Sequence, residues 1–493
     1  MDRLQSPGVA EPGSSTISRR DVVKASALAG AALLSPGATV VAAHADGPSA
    51  DRRALLRVEP SDTLLPNEIE IRASGFAPAE RVRLTSRLVD DAGESWSAHG
   101  DYVADARGSI DVATAPSEGG TFAGIQPAGL LWSMRPPSGT DRRFMIDAKV
   151  RPHKLGLPAV DPVKPLVIEL AAESGGTVRA RTTLTLRRLD PGVEVVPVRD
   201  GRLRGVAFRW KERTPPRGAV MSLTGSGGGV EMGYAPILAS LGYDVLSLAY
   251  FAYEDLPGTI SRIPLEYFAE GFEWMRREFG ARRLAVQGAS RGGELTLLLA
   301  AYLPDHVSGA LALVPMYASS AGWDPQGGVS GPSWTFRGRD IPYAVPLGSL
   351  SIENMRRLGE REPNGYAATP AYRADLDRPE VRSGAAIPVE RAAGPVLMIS
   401  GVDDQMWPSA WGSDLVVNRL RAQGFKRPFR HLALPETGHM TPLPNTVTTF
   451  TPAVFHSLAN IFLACGGTPE GTARSSRATW DAMREHYRQV FGG

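Results

Sequence analysis

The segment Gly288-Ala289-Ser290-Arg291-Gly292 constrains the fold more than any other part of this chain. Before it, Arg283-Leu284-Ala285-Val286-Gln287 has the length and composition of a short buried strand. After it, residues 293–302 form an apolar run that reads as a buried helix and stops before Pro304. Passing from strand to helix across a single residue forces that residue into a strained backbone conformation. Small residues two before and two after it are needed, because the two backbones nearly touch there. The serine hydroxyl then stands clear of the sheet, at a helix N-terminus whose dipole favours negative charge. An ordinary glycine-rich turn gives the same five letters, so the flanking elements and the downstream residues decide between the two readings.

A serine hydroxyl is a poor nucleophile unless a base takes its proton, and the base needs an orienting acid. In the α/β-hydrolase arrangement these follow in the order Ser, Asp or Glu, His. Gly394-Pro395-Val396-Leu397-Met398-Ile399-Ser400 reads as a buried parallel strand that runs into Gly401-Val402-Asp403-Asp404-Gln405-Met406-Trp407-Pro408. A carboxylate just past the C-terminal end of that strand shares a sheet rim with the elbow. Asp404 is the preferred acid; Asp403 is the alternative, and one of the pair caps the helix expected from about Ser409. The next strand, residues 429–434, leads into Pro435-Glu436-Thr437-Gly438-His439-Met440. Of the eight histidines, His439 alone follows the last strand in a loop able to reach across the rim. His44 falls in a segment expected to be removed, and His99 and His153 fall in a different domain. His306 and His456 read as helix or surface positions, His431 as a strand residue and His486 as part of a C-terminal helix.

An acyl-transfer site also needs donors for the oxyanion. The backbone N–H of Arg291, next after the nucleophile, is one. The strand Ala219-Val220-Met221-Ser222-Leu223-Thr224 is followed by Gly225-Ser226-Gly227-Gly228-Gly229, and Gly227 and Gly228 are the candidates for the second donor. A phosphate-binding loop is the rival, but no Lys-Ser or Lys-Thr pair follows and no dinucleotide spacing fits.

The 493 residues, 43% hydrophobic and 22% charged, favour at least two domains. A formal net charge of +2 gives no electrostatic case for nucleic acid or an anionic membrane. The single cysteine, Cys465, excludes internal disulfides and a cysteine-ligated metal site. No metal-ligand spacing stands out, and no cofactor is expected. At the N-terminus, Ser18-Arg19-Arg20-Asp21-Val22-Val23-Lys24 matches a twin-arginine signature. A mildly apolar run and the small-x-small site Ala43-His44-Ala45 follow it. Residues 1–45 are therefore expected to be a signal peptide for export of a folded protein. The run is too short and too weakly apolar for a stable membrane anchor.

Residues 46–200 read as an immunoglobulin-like all-β sandwich, with alternation in residues 68–73, 81–88 and 177–186 and turn signals between. Residues 190–205 are a linker or the first strand of the next unit. Residues 201–493 alternate strands and helices, which predicts a mostly parallel, doubly wound sheet: an α/β-hydrolase domain. Residues 317–389 are weakly periodic and rich in Gly, Pro and aromatics. They read as an insertion over the active site, a lid or acyl pocket, with a plain surface insertion as the alternative.

These residues resemble the acyl-CoA thioesterase and bile acid-CoA:amino acid N-acyltransferase family. The resemblance rests on residues 119–124 and Ala128-Gly129-Leu130-Leu131-Trp132-Ser133-Met134 in the sandwich. In the hydrolase part it rests on residues 225–229, Ala249-Tyr250-Phe251, the elbow with Gly293-Glu294, and Asp403-Asp404-Gln405-Met406-Trp407. It implies acyl transfer from a thioester or related carrier to water or an amine, with the family's nucleophile at Ser290, its Asp at Asp404 and its His at His439. Members that conjugate amino acids use Cys, so Ser290 points to hydrolysis. Export separates the chain from intracellular CoA thioesters, which points to another ester, amide or lactone. The expectation is a serine-dependent acyl hydrolase acting on a small acyl ester or thioester. An acyltransferase with an amine or alcohol acceptor and a non-catalytic envelope-binding protein are the alternatives.

Overall fold

Alternation of polar and apolar residues shapes the N-terminal sheets. In the strand Arg81–Val89, Val82, Leu84, Ser86 and Leu88 are buried and the arginines between them face water. This strand belongs to a six-stranded sheet that also contains Ser95–Val103, Leu166–Ser174 and Thr177–Arg187. A three-stranded sheet of Leu55–Glu59, Glu70–Ser74 and Ser109–Asp111 packs on it. Leu56, Val58 and Ile71 share one core with Val82, Leu84 and Ile168, which makes the pair a sandwich. The computed structural model describes residues 53–90, 93–137, 149–150, 163–212, 216–323, 329–344, 352–456 and 459–492. The expected signal peptide lies outside them, as does His153.

Eight strands make the second sheet: β1 (Val193–Asp200), β2 (Leu203–Trp210), β3 (Ala219–Leu223), β4 (Asp244–Ala249), β5 (Leu284–Ala289), β6 (Gly309–Leu313), β7 (Val396–Gly401) and β8 (Phe429–Leu434). Their spatial order is β1-β2-β4-β3-β5-β6-β7-β8. β2 is antiparallel to both neighbours, and every pair from β4 to β8 is parallel. This is the α/β-hydrolase topology. The sheet starts at Val193, ahead of the expected boundary at 201, because β1 pairs with β2 along all eight of its residues.

Strands β3, β6 and β7 are buried along their whole length, and β5 is buried up to Ala289, which is half-buried beside Ser290, as parallel strands covered on both faces must be. The covering helices are α1 (Ala235–Ser240), α2 (Leu265–Phe279), α3 (Arg291–Tyr302), α4 (Ser409–Ala422) and α5 (Pro469–Phe491). α5 contains His486, as expected, and starts at Pro469. Thr468 caps it by accepting from the Gly471 N–H, with Pro469 at the first turn.

The sandwich also grips the segment after β8. Asn445 Nδ2 donates to Leu65 O and Asn67 O, both at 2.7 Å. Thr448 N–H donates to Trp132 O at 3.0 Å, and Thr449 Oγ1 to Met134 O at 2.6 Å.

Candidate active site

The elbow is built as the spacing requires. Ser290 joins β5 directly to α3 with φ 59° and ψ −122°, a region that side chains rarely occupy. A methyl group on Gly288 would lie 2.5 Å from Gly292 O, and one on Gly292 would collide with Thr224 O. Only glycine lets the strand, the helix and the loop after β3 meet there. Ser290 N–H is held by Leu313 O at 2.9 Å, which ties the turn to β6.

Asp404 and His439 emerge from the C-terminal ends of β7 and β8, on the rim where Ser290 leaves β5. His439 Nδ1 is 2.8 Å from Asp404 Oδ2. Asp404 Oδ1 accepts the N–H groups of Met406 and Trp407 at 3.0 and 3.2 Å, and Oδ2 also accepts the Ser409 hydroxyl at 2.5 Å. An acceptor-only carboxylate so placed makes Nδ1 the protonated ring nitrogen. Nε2 is then a bare acceptor; it is buried and has no hydrogen-bond partner among the described residues. Trp407 packs edge-on against the imidazole at 5.8 Å, and Cys465 O accepts the His439 N–H at 2.8 Å. Of the two neighbouring acids, Asp404 meets the imidazole. Asp403 turns away and accepts the Gly467 N–H at 2.8 Å.

The candidate oxyanion donors divide. Arg291 is the first residue of α3, and its N–H is one of those the helix does not use itself. Gly227 is buried in the loop after β3, and its N–H has no partner among the described residues. Gly228 departs from the expectation. Its N–H donates to Gly225 O at 3.2 Å, closing a turn, and Gly229 N–H donates to Phe251 O at 3.1 Å. Both are spent on folding the loop.

Two features escaped the sequence reading. His456, expected on a helix or the surface, ends the strand Ala453–His456, half-buried, with Nε2 3.0 Å from Ser226 Oγ. Its partner lies 230 residues away in sequence, which no local signal carries. The second is the partner of Glu294. Glu294 is fully buried and pairs with Arg291 at 2.8 Å. It also accepts from Ser320 N at 3.0 Å, Ser320 Oγ at 2.8 Å and Trp334 Nε1 at 2.9 Å. This fixes the expected insertion against the first turn of α3. Another insertion residue, Tyr372, packs on Trp407 at 6.1 Å.

Comparison with known proteins finds family matches over both the N-terminal and the C-terminal parts of the chain. The acyl-CoA thioester hydrolase/BAAT N-terminal region matches residues 66–200, and the BAAT/acyl-CoA thioester hydrolase C-terminal region matches 263–325 and 333–493. Human acyl-coenzyme A thioesterase 1 is 32% identical over 449 residues, covering 89% of this chain and 97% of the relative. Mouse acyl-coenzyme A thioesterase 6 is 31% identical, with the same coverage of both chains. The mouse peroxisomal succinyl-coenzyme A thioesterase is 30% identical, covering 87% of this chain and 94% of its own. A crystal structure of an α/β hydrolase from a deep-sea metagenome library covers 62% of this chain at 11% identity, with a TM-score of 0.37. The chain belongs to the acyl-CoA thioester hydrolase/BAAT family.

Proposed function

We propose that this protein is a serine-dependent acyl hydrolase of ester or thioester substrates, with Ser290 as nucleophile, His439 as base and Asp404 as the orienting acid. The observation that carries the reading is the 2.8 Å contact of His439 Nδ1 with Asp404 Oδ2, which leaves Nε2 bare and unpartnered. In this scheme Nε2 takes the Ser290 proton as Oγ attacks the acyl carbonyl. The N–H groups of Arg291 and Gly227 hold the oxyanion. His439 then returns the proton to the departing thiol or alcohol. Water, deprotonated by the same nitrogen, releases the acyl group from Ser290.

Hydrolysis is favoured over transfer to an amine because the nucleophile is serine. An acyl-serine ester reacts less readily with amines than an acyl-cysteine thioester. The domain division that goes with the reading is a sandwich that buttresses the base-bearing loop, a hydrolase sheet, and an insertion at 317–389 that shapes the acyl pocket.

Labelling of the purified protein with a fluorophosphonate, followed by peptide mapping, tests the nucleophile. Modification is expected at Ser290, and Ser290→Ala is expected to lose about 10⁴-fold in kcat on p-nitrophenyl esters. Turnover by Ser290→Ala at the parent rate sinks the proposal. A parallel panel of acyl-CoAs and simple esters, with product analysis in the presence of glycine, separates thioesterase, esterase and acyltransferase.

The twin-arginine motif supports a second proposal, that the mature chain acts outside the cytoplasm. Cell fractionation of the Arg19→Lys, Arg20→Lys variant tests it. Retention of that variant inside the cell is expected, and unchanged export overturns the signal assignment.

A further inference from the structure

The loop after β3 carries a hydroxyl whose orientation is set from outside. The hairpin formed by Ala453–His456 and Ile461–Ala464 brings His456 Nε2 to 3.0 Å from Ser226 Oγ. On the other side of the ring, the Ala459 N–H donates to His456 Nδ1 at 3.2 Å. A backbone N–H can only donate, so Nδ1 holds the lone pair and the neutral ring carries its proton on Nε2. Nε2–H therefore donates to Ser226 Oγ. That bond uses a lone pair of the hydroxyl and leaves its hydrogen available for another acceptor.

The acceptor follows from position. Ser226 comes immediately after Gly225, and a methyl group on Gly225 would lie 3.1 Å from Ser290 Cβ and 3.6 Å from Ser290 Oγ. The Gly228 and Gly229 N–H groups are already committed to Gly225 O and Phe251 O. Gly227 N–H thus remains as the loop's backbone candidate where an oxyanion on a Ser290 adduct would form, with the Ser226 side chain beside it.

We propose that the Ser226 hydroxyl is a side-chain donor to that oxyanion and that His456 is a positioning residue that aims it. The proposal rests on Ser290 being the nucleophile. A second Ser-His dyad, with Ser226 as its own nucleophile, conflicts with the tautomer. A base needs a bare nitrogen facing the hydroxyl, and here that nitrogen carries the proton. The two histidines are held in opposite forms: a carboxylate puts the proton of His439 on Nδ1, and a peptide N–H puts that of His456 on Nε2.

The test is steady-state kinetics on p-nitrophenyl butyrate, with fluorophosphonate labelling run in parallel. Ser226→Ala is expected to lower kcat by about 10²-fold with KM changed little, as for loss of one oxyanion donor. Ser226→Cys, close in size but a weak donor, is expected to show the same direction of loss, which separates donation from packing. His456→Leu is expected to lose part of kcat, and His456→Gln, which can present an N–H at similar reach, to recover most of it. Because His456 acts through the hydroxyl, Ser226→Ala/His456→Leu should be no slower than Ser226→Ala. Wild-type kcat in Ser226→Ala, or losses that multiply in the double variant, overturns the proposal. Parent-rate turnover by Ser290→Ala overturns the nucleophile assignment instead, so the two failures are distinct.

Discussion

His439 Nδ1 lies 2.8 Å from Asp404 Oδ2, and the two residues are 35 positions apart in the chain. β7 and β8 are parallel neighbours, so the loops that follow them leave the sheet on the same side. Asp404 is held by four donors, of which the imidazole is one. Replacing it with asparagine substitutes an amide NH₂ that can donate to Nδ1 and favours the wrong tautomer. Asp404→Asn is expected to lower kcat by about 10⁴-fold with KM largely retained. Asp403→Asn, whose parent carboxylate faces Gly467, is expected to leave turnover essentially in place. Saturation kinetics on a p-nitrophenyl ester distinguishes the two.

Glu294 is a buried carboxylate whose cation is on Arg291, the residue after Ser290. Glu294→Ala leaves the Arg291 guanidinium buried without its counter-charge. A loss of about 3–5 kcal/mol in unfolding free energy is expected, read from urea denaturation. Earlier proteolysis within residues 317–389 should accompany it, since Ser320 and Trp334 lose the acceptor that holds them.

Close approach at the elbow predicts sharply different tolerance for two glycines. Gly292→Ala drives a methyl group into Thr224 O, between elements that cannot separate. That variant is expected to lose activity and at least about 2 kcal/mol of stability. Gly384, in the helix Pro379–Ala385, has open space around it. Gly384→Ala should be neutral or stabilise by up to about 1 kcal/mol. Thermal melts of the two variants side by side provide the check.

Burial lowers the pKa of His486 on α5 from 6.5 to about 4. The folded state therefore holds this ring neutral at a pH where the unfolded chain protonates it. The unfolded state binds more protons between these values, so stability rises with pH across them. The contribution is complete above about pH 6.5 and is lost as pH falls toward 4, amounting to about 3 kcal/mol. His486→Phe is expected to flatten this part of the stability-pH curve. Denaturant unfolding at pH 7, 5.5 and 4.5 measures it.

Much of the site was legible because its signals are local. The glycines at 288 and 292 are demanded by contacts within one turn of chain, and β5 and β7 announce themselves as apolar runs of strand length. The alternation in residues 81–88 gave a strand with the expected buried face. The insertion was visible as a break in periodicity and a composition rich in Gly, Pro and aromatics. Its attachment to Glu294 depends on Ser320 and Trp334, polar and aromatic residues with no spacing to mark them.

The sequence alone determined the strand-turn-helix at Ser290, the order of nucleophile, acid and base candidates, and an all-β segment ahead of an alternating one. Each follows from steric or hydrophobic periodicity over a few residues. Tertiary structure decided that Asp404 and not Asp403 meets the imidazole, that Gly228 spends its N–H on a turn, and that His456 reaches Ser226. It also decided that the sandwich grips the segment after β8. The physical reason is that these outcomes depend on where loops far apart in the chain come together. A hydrogen bond between residues 35 or 230 positions apart leaves no periodic trace in either segment.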